Sequence, residues 1–464
     1  MAPGPIIARR TLERVAHIAP SVTRLGDTLL DPTALYFVSY DGIVNNASYQ
    51  QSGIVSWAGH QYAAWYTASR EPVLARRPLA AGTAGGGWQA LRLPHRLSVD
   101  DSHNTISLGI SPADGRLHVA MDTHDNPVYY VRSEAGLVTD APGRSWVAGR
   151  FGPVQRSLDG VDLGAITYPR FVVTPDDRLQ LSYRTGRSGN GQQELAEYAG
   201  GGWRRLGRWS SASGVYARNG TTSTTRNLYL HGLTYGGDGR LHATFTWREG
   251  NPGVLGSRGG LANHDTGYVY SDDHGRSWRN NAGAVVATTG GASLVSVDSA
   301  GHVVDPLDVD HALINQESQA VDSTGRPHVI ISYVPERFTR CVTDFGGQRR
   351  SRGRAFHLRR TGSGAWHKTE LPVPPHAFGR SRLVFDVADN AYVVLPFGRI
   401  VTASAASGWT DWTLRFDAAS LDAFGEVVVD EQRVREGGVL SLLYQQRSRG
   451  TTPSPIRVVD FRLG

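Results

Sequence analysis

The feature that most limits what this chain can become is a phrase that returns seven times: a polar Gly or Asp turn followed at once by a compact β-branched or alternating run. It reads AGHQYAAWY at Gly59, DGRLHVAMD at Gly115, DDRLQLSYR at Asp177, DGRLHATFT at Gly239, TGRPHVIIS at Gly325, ADNAYVVLP at Asp389 and EGGVLSLLY at Gly438. Gly and Asp supply tight turns, and a period of two places successive side chains on opposite faces of a strand. Helical periodicity is nearly absent. The anchors lie 56, 62, 62, 86, 64 and 49 residues apart, the longest interval holding an insertion after Gly250. Such a repeat holds four short strands and their loops, and four-stranded sheets repeated radially bury one another's faces in a β-propeller. A parallel β-helix would recur more tightly, and paired sandwiches would not give seven related units. The sequence therefore predicts an all-β fold, a seven-bladed β-propeller with four-stranded antiparallel blades, as one domain over residues 1–464. The segment at about residues 25–45 is expected to help close the last blade.

One phrase carries its own hairpin chemistry. Ser271-Asp272-Asp273-His274-Gly275-Arg276-Ser277-Trp278 fits S-x-D-x-G-x-x-W, the Asp-box signature, in which polar side chains bond the turn, Gly frees its backbone and Trp anchors it to the blade.

Composition narrows the chemistry. The net charge of +6 rests almost wholly on arginine, since Lys368 is the only lysine, and the basic residues are scattered. The tract at 346–354 reads as a solvated loop, so no nucleic-acid partner is expected, whereas an anionic small molecule or polysaccharide suits the balance. The single Cys341 excludes an internal disulfide, and no apolar run is long enough for membrane insertion. The start, MAPGPIIARR, lacks the apolar centre of a secretory leader, which leaves an intracellular protein or a secreted one already processed. No P-loop or Rossmann fingerprint is present, so no organic cofactor is expected, and nothing points to an obligate protein partner.

A second layer of phrases is ordered along the chain: DSHN at 101–104, MDTHDNP at 121–127, TYPRF at 167–171, YRTGRSGNG at 183–191, RNLYLHG at 226–232 and INQESQAVDSTGRPH at 314–328. In these the sequence resembles the BNR-4-type β-propellers, a group that includes ulvan lyases and related enzymes acting on rhamnose-glucuronate glycans. The resemblance implies a polysaccharide lyase that cleaves a rhamnose–uronic acid polysaccharide or oligosaccharide by β-elimination, leaving a 4,5-unsaturated uronate. It carries four catalytic positions onto this chain: His103, His124, Tyr168 and Arg184. The set suits the chemistry. A guanidinium at Arg184 can neutralise a uronate carboxylate through paired charge-assisted bonds, which makes the C5 proton removable. His103 can take that proton while Tyr168 protonates the leaving C4 oxygen, or Tyr168 as tyrosinate can take it with help from His103. His124 would orient the carboxylate or bind sugar.

Further substrate contacts are expected from Tyr229, His231 and Arg248, with Asn45, Gln51, His60 and Trp65 lining another part of the groove. The resemblance also implies a structural metal between blades, for which His264, His328 and Cys341, with an additional His or Asp, are the predicted ligands of a zinc site; calcium has no DxDxDG-type loop to hold it. Two other readings stay open. A rhamnosidase or other hydrolase would draw acids from Asp101, Asp122, Asp125, Glu249 or Glu317, none of which forms a pair defined by sequence. A non-catalytic propeller would bind anionic glycan without turnover.

Overall fold

A computed structural model describes residues 19–38, 43–49 and 51–464. Its named strands form seven sheets of antiparallel pairs. Seven strands, one from each sheet, line the middle of the arrangement: Ile54–Trp57, Ser107–Ser111, Ile166–Val173, Thr221–Tyr235, Ser318–Val321, Arg382–Phe385 and Val428–Val429. Ile54–Trp57 packs beside Ser107–Ser111, which packs beside Ile166–Val173, and Thr221–Tyr235 lies beside Ser318–Val321, which adjoins Arg382–Phe385. A short helix, Glu431–Gly437, touches both Ile54–Trp57 and Arg382–Phe385 and so spans the gap between the last sheets and the first.

Four sheets have the expected four strands and three do not. The second keeps three, because the stretch after Tyr129–Arg132 contains Pro142 and Pro153, which cannot donate to a ladder, and its backbone pairs with that strand and Ser133 through the isolated bridges Tyr130–Gln155 and Ser133–Phe151. The third borrows His124–Asn126 from the preceding unit, pairing it with Ile166 and Thr167. The fourth gains Ser213–Arg218 beside the 15-residue Thr221–Tyr235, and within the long 239-to-325 interval it gains Val285–Thr288 on Ser277–Asn280 and Val303–Asp305 on Asn263–Ser271.

Packing between neighbouring sheets supplies the core. Tyr62, Leu74, Leu108, Leu117 and Trp146 fill the space between the first two sheets, and Tyr392, Leu440 and Phe461 that between the last two. Each such side chain contributes roughly 1.5–3 kcal/mol on burial. The sheets approach closely enough that a Cβ at Gly109 would lie 2.3 Å from Phe171. At the S-x-D-x-G-x-x-W hairpin, Asp273 Oδ1 accepts from the Arg276 and Ser277 amides, Gly275 has φ +79°, and buried Trp278 stacks on Trp209 with centroids 4.3 Å apart.

Val22–Ala34 pairs antiparallel with Ser454–Leu463, so a strand from the beginning of the chain completes the last sheet. Of the segment expected to close the ring, residues 39–42 lie outside the described residues.

Candidate active site

A cleft of about 490 Å³ opens where the middle strands begin. Tyr168 and Tyr229 line it, whereas Val173 and Tyr235, further along the same two strands, line a separate cavity at the other end. His103, His124, Tyr168, Arg184, Tyr229 and Arg248 all face the cleft, so the four predicted catalytic residues and two of the predicted contacts converge.

Local backbone explains how they get there. The pairing of Ile166–Val173 with Leu179–Arg187 slips between Thr167 and Arg170, and Tyr168 takes φ +57°. Pro169 has no amide to give the ladder, so the bulge forms at this point and turns the Tyr168 ring out of register. A non-glycine residue held in that region costs about 1–3 kcal/mol, strain that the surrounding sheet sustains. The Arg184 guanidinium lies 5.2 Å from the Tyr168 ring centroid and donates to Thr167 Oγ1 (2.9 Å) and to the Tyr229 hydroxyl (3.2 Å). Burial pushes the Tyr229 phenol up, but the Arg184 and Arg248 guanidiniums and hydrogen bonding with Ser188 and Arg184 outweigh it and hold the group below the usual phenol range.

The histidines come from different elements. His103 is on the loop before Ser107–Ser111, and His124 opens the borrowed strand His124–Asn126. Their rings stack at 4.3 Å, Tyr49 stacks on the other face of His103 at 4.5 Å, and the Arg380 guanidinium lies 4.6 Å from the Tyr49 ring. Asp101 lies behind both: Oδ1 is 2.5 Å from His103 Nδ1 and Oδ2 is 2.5 Å from His124 Nδ1. Glu426, paired with Arg380 at 2.8 Å, also accepts from the Ser48 amide and hydroxyl and so ties the Tyr49 segment to the last sheet.

Other predicted contacts lie elsewhere. His231 is fully buried, two residues beyond Tyr229 on the same strand, and its Nδ1 accepts from the Glu317 amide; burial and the Arg380 guanidinium push it down to about 3. Asn45 is buried as a structural clamp, with its amide on the Leu35 and Tyr66 carbonyls and its oxygen on the Tyr66 amide. His60 follows the Ala58–Gly59 turn next to Trp57, which lines the cavity at the far end. Gln51 accepts from Thr105, and buried Trp65 donates to Asp31. These residues satisfy backbone or packing needs and do not reach the cleft.

The predicted zinc ligands are also apart. His264 Nε2 is 3.0 Å from Glu249, which pairs with buried Arg226; His328 Nδ1 is 2.8 Å from His357 Nε2; Cys341 Sγ is 3.8 Å from Asp310. Each belongs to a different hydrogen-bonded cluster, and the three do not fit a shared zinc ion. Among the described residues, the one group of His, Cys, Asp and Glu donors with ion-binding proximity is Asp101, His103 and His124, whose imidazole–carboxylate hydrogen bonds account for the approach. Of the acids considered for hydrolysis, Asp122 is engaged by His95 and Ser98, Asp125 by Arg187, and Glu249 by Arg226 and His264, while Glu317 is wholly buried.

Sequence reasoning missed Tyr49, Arg380, Phe397, Arg350 and Arg447, all on the cleft wall. The positive φ of Tyr49 (+35°) and Phe397 (+69°) marks this wall as locally strained.

Fold and site together define a propeller with a basic, aromatic and imidazole-lined cleft at one end of its axis. The chain belongs to the BNR repeat-containing family, whose model matches residues 60–373. It is 22% identical over 466 residues to a long-isoform ulvan lyase of Pseudoalteromonas sp. (strain PLSV), covering 90% of this chain and 43% of that protein. A long-isoform ulvan lyase of Alteromonas sp. is 23% identical over 472 residues, again covering 90% of this chain and 43% of the relative. The chain thus spans less than half the length of these curated relatives. In three dimensions it is similar to polysaccharide lyase Uly1, with a TM-score of 0.71, 17% identity and coverage of 95% of this chain and 99% of that one. A PL25 ulvan lyase gives a TM-score of 0.60 at 13% identity over 93% of this chain and 95% of that one, and it has also been solved bound to -[GlcA(1-4)Rha3S]-.

Proposed function

We propose that this protein is a polysaccharide lyase that cleaves a rhamnose–uronic acid glycan by β-elimination. The observation that carries the reading is the placement of Arg184 on one cleft wall with Tyr168, Tyr229, His103 and His124. The ulvan lyase relatives and the -[GlcA(1-4)Rha3S]- bound to the PL25 enzyme support an acidic glycan as substrate.

In this mechanism the Arg184 guanidinium binds the uronate carboxylate, with His124 helping to orient it, and offsets the charge that grows there as C5 loses its proton. His103 removes that proton; the C5–H electron pair becomes the C4=C5 double bond, the C4–O bond breaks, and the Tyr168 hydroxyl protonates the departing oxygen. Among the described residues, Arg184, Arg248, Arg350, Arg380 and Arg447 line the cleft against a single carboxylate, Glu426, which Arg380 engages. That charge balance favours an acidic substrate, and among the described residues the cleft wall offers no pair of carboxylates for the two roles that hydrolysis usually requires.

The test is incubation with ulvan and other rhamnose–glucuronate glycans, read by ultraviolet absorbance and mass spectrometry. Elimination yields ultraviolet-absorbing oligosaccharides whose masses show no added water at the cut. Products that carry the elements of water and no alkene would replace the lyase with a hydrolase, and binding without cleavage would leave a lectin-like propeller.

A further inference from the structure

Asp101 is placed to control which face of each catalytic imidazole does chemistry. Its position is fixed locally: Oδ1 accepts from the His103 amide at 2.9 Å, and its carbonyl accepts from the Asn104 amide at 3.1 Å. The two carboxylate oxygens then divide between the two rings, Oδ1 to His103 Nδ1 and Oδ2 to His124 Nδ1. An ionised carboxylate only accepts hydrogen bonds. Burial works against ionisation of Asp101, yet the bonds from His103 and His124 overcome this and keep it far below the usual carboxylate range. Both imidazoles must therefore carry their proton on Nδ1, and in a neutral ring this leaves the lone pair on Nε2.

We propose that Asp101 is a shared positioning residue that holds His103 and His124 together in the Nδ1–H tautomer, presenting the basic Nε2 of both rings to the substrate. Its catalytic consequence rests on the elimination proposed above; its structural content does not. One carboxylate serving two stacked rings also sets a proton capacity. The unit carries a charge of −1 with both rings neutral and reaches zero when one of them takes a proton, so the imidazolium formed by proton abstraction is balanced within the unit. A second proton would place two cations in rings 4.3 Å apart. Ionisable groups around the unit include Tyr49 and Tyr168 against the rings, Arg380 beyond Tyr49, Arg184 beside Tyr168, the Arg70–Asp100 pair next to Asp101 in sequence, and the His95–Asp122 and Arg187–Asp125 pairs, whose carboxylates flank His124 in sequence. This role removes Asp101 from the acids available to a hydrolase, because it bonds the back of the histidines and is not among the cleft-lining side chains.

The experiment is long-range proton–nitrogen NMR of histidine-labelled protein, with the two rings assigned by loss of signal in His103→Gln and His124→Gln. The wild type is expected to show both as Nδ1–H, with strongly downfield Nδ1 protons; Asp101→Asn, close in size, can accept from only one ring and is expected to release the other. With active glycan the same variant should lose about 100-fold or more in kcat with KM changed only a few-fold, as a misdirected catalytic tautomer does. Its rate-against-pH profile should also shift, which a purely structural role would not produce when the melting temperature is unchanged. Wild-type rings protonated on Nε2 overturn the inference, as does Asp101→Asn retaining both Nδ1–H signals and wild-type kcat. A wild-type protein that eliminates no glycan overturns the lyase reading, and the NMR result on the wild type still decides the role of Asp101.

Discussion

Replacing Arg184 with Met keeps most of the stem and removes the guanidinium, which makes it the sharpest probe of charge neutralisation. The group is buried, 2% exposed, so solvent screens it little. Leaving a buried charge without its partner costs about 3–5 kcal/mol. At about 1.36 kcal/mol per tenfold in rate, this becomes a loss of about 10²- to 10⁴-fold in kcat/KM. The larger share should fall on kcat, because negative charge on the substrate carboxylate grows as C5 is deprotonated. Arg184→Lys keeps the charge but loses the planar fork and should lie between wild type and Met. The assay is the initial rate of ultraviolet absorbance from the new double bond, over a range of glycan concentrations. Loss of the bonds to Thr167 and Tyr229 removes about 0.5–1.5 kcal/mol each from folding, a change visible in the melting temperature and separable from the kinetic one. If Arg184→Met stays within tenfold of wild type on the same product, neutralisation by this residue is refuted.

Three other outcomes follow from the geometry. Tyr168→Phe keeps a ring beside Arg184 and removes the proton donor, so kcat should drop about 10²- to 10⁴-fold with KM nearly unchanged in steady-state kinetics. Glu317, at 0% exposure, is pushed up by burial from 4.5 to about 7; native protein then holds a proton that the unfolded chain releases, so the contribution of this residue to stability is full below about pH 4.5 and is lost as pH rises towards and through 7, by on the order of 3 kcal/mol. Denaturant titrations across that range should show the stability of wild type falling relative to Glu317→Gln as pH rises. Gly109→Ala would press a methyl group into Phe171 and should cost about 1–3 kcal/mol in the same titrations, or more if the two sheets cannot part.

What the sequence made legible was local. Period-two runs after Gly or Asp turns located the strands, and a histidine next to Asp101 or a Tyr before Pro169 is a neighbour relation written in the chain. Tyr229 and His231 show where this reasoning stops: period-two spacing would put both on one strand face, but the pairing slips between Leu230 and Gly232, and Tyr229 lines the cleft while His231 is buried in the core. Asn45 and His60 failed for another reason, since a polar side chain in a family-like region serves the backbone as readily as a ligand. Tyr49, Arg380 and Phe397 were hidden because ring closure alone brings the 43–49 segment against the last sheets, hundreds of residues away. The zinc prediction joined His264, His328 and Cys341 across sequence, while the fold commits each to neighbours that spacing could not reveal.

The union of Val22–Ala34 with Ser454–Leu463 has a cost in time during synthesis. At about 5–20 residues per second, a ribosome needs on the order of tens of seconds between making the first of these strands and the second. Throughout that interval the early strand lacks its eventual mate, and its open backbone is a target for mispairing with other nascent chains. Successful production should therefore depend on how well the cell shields that early segment until Ser454–Leu463 has been made.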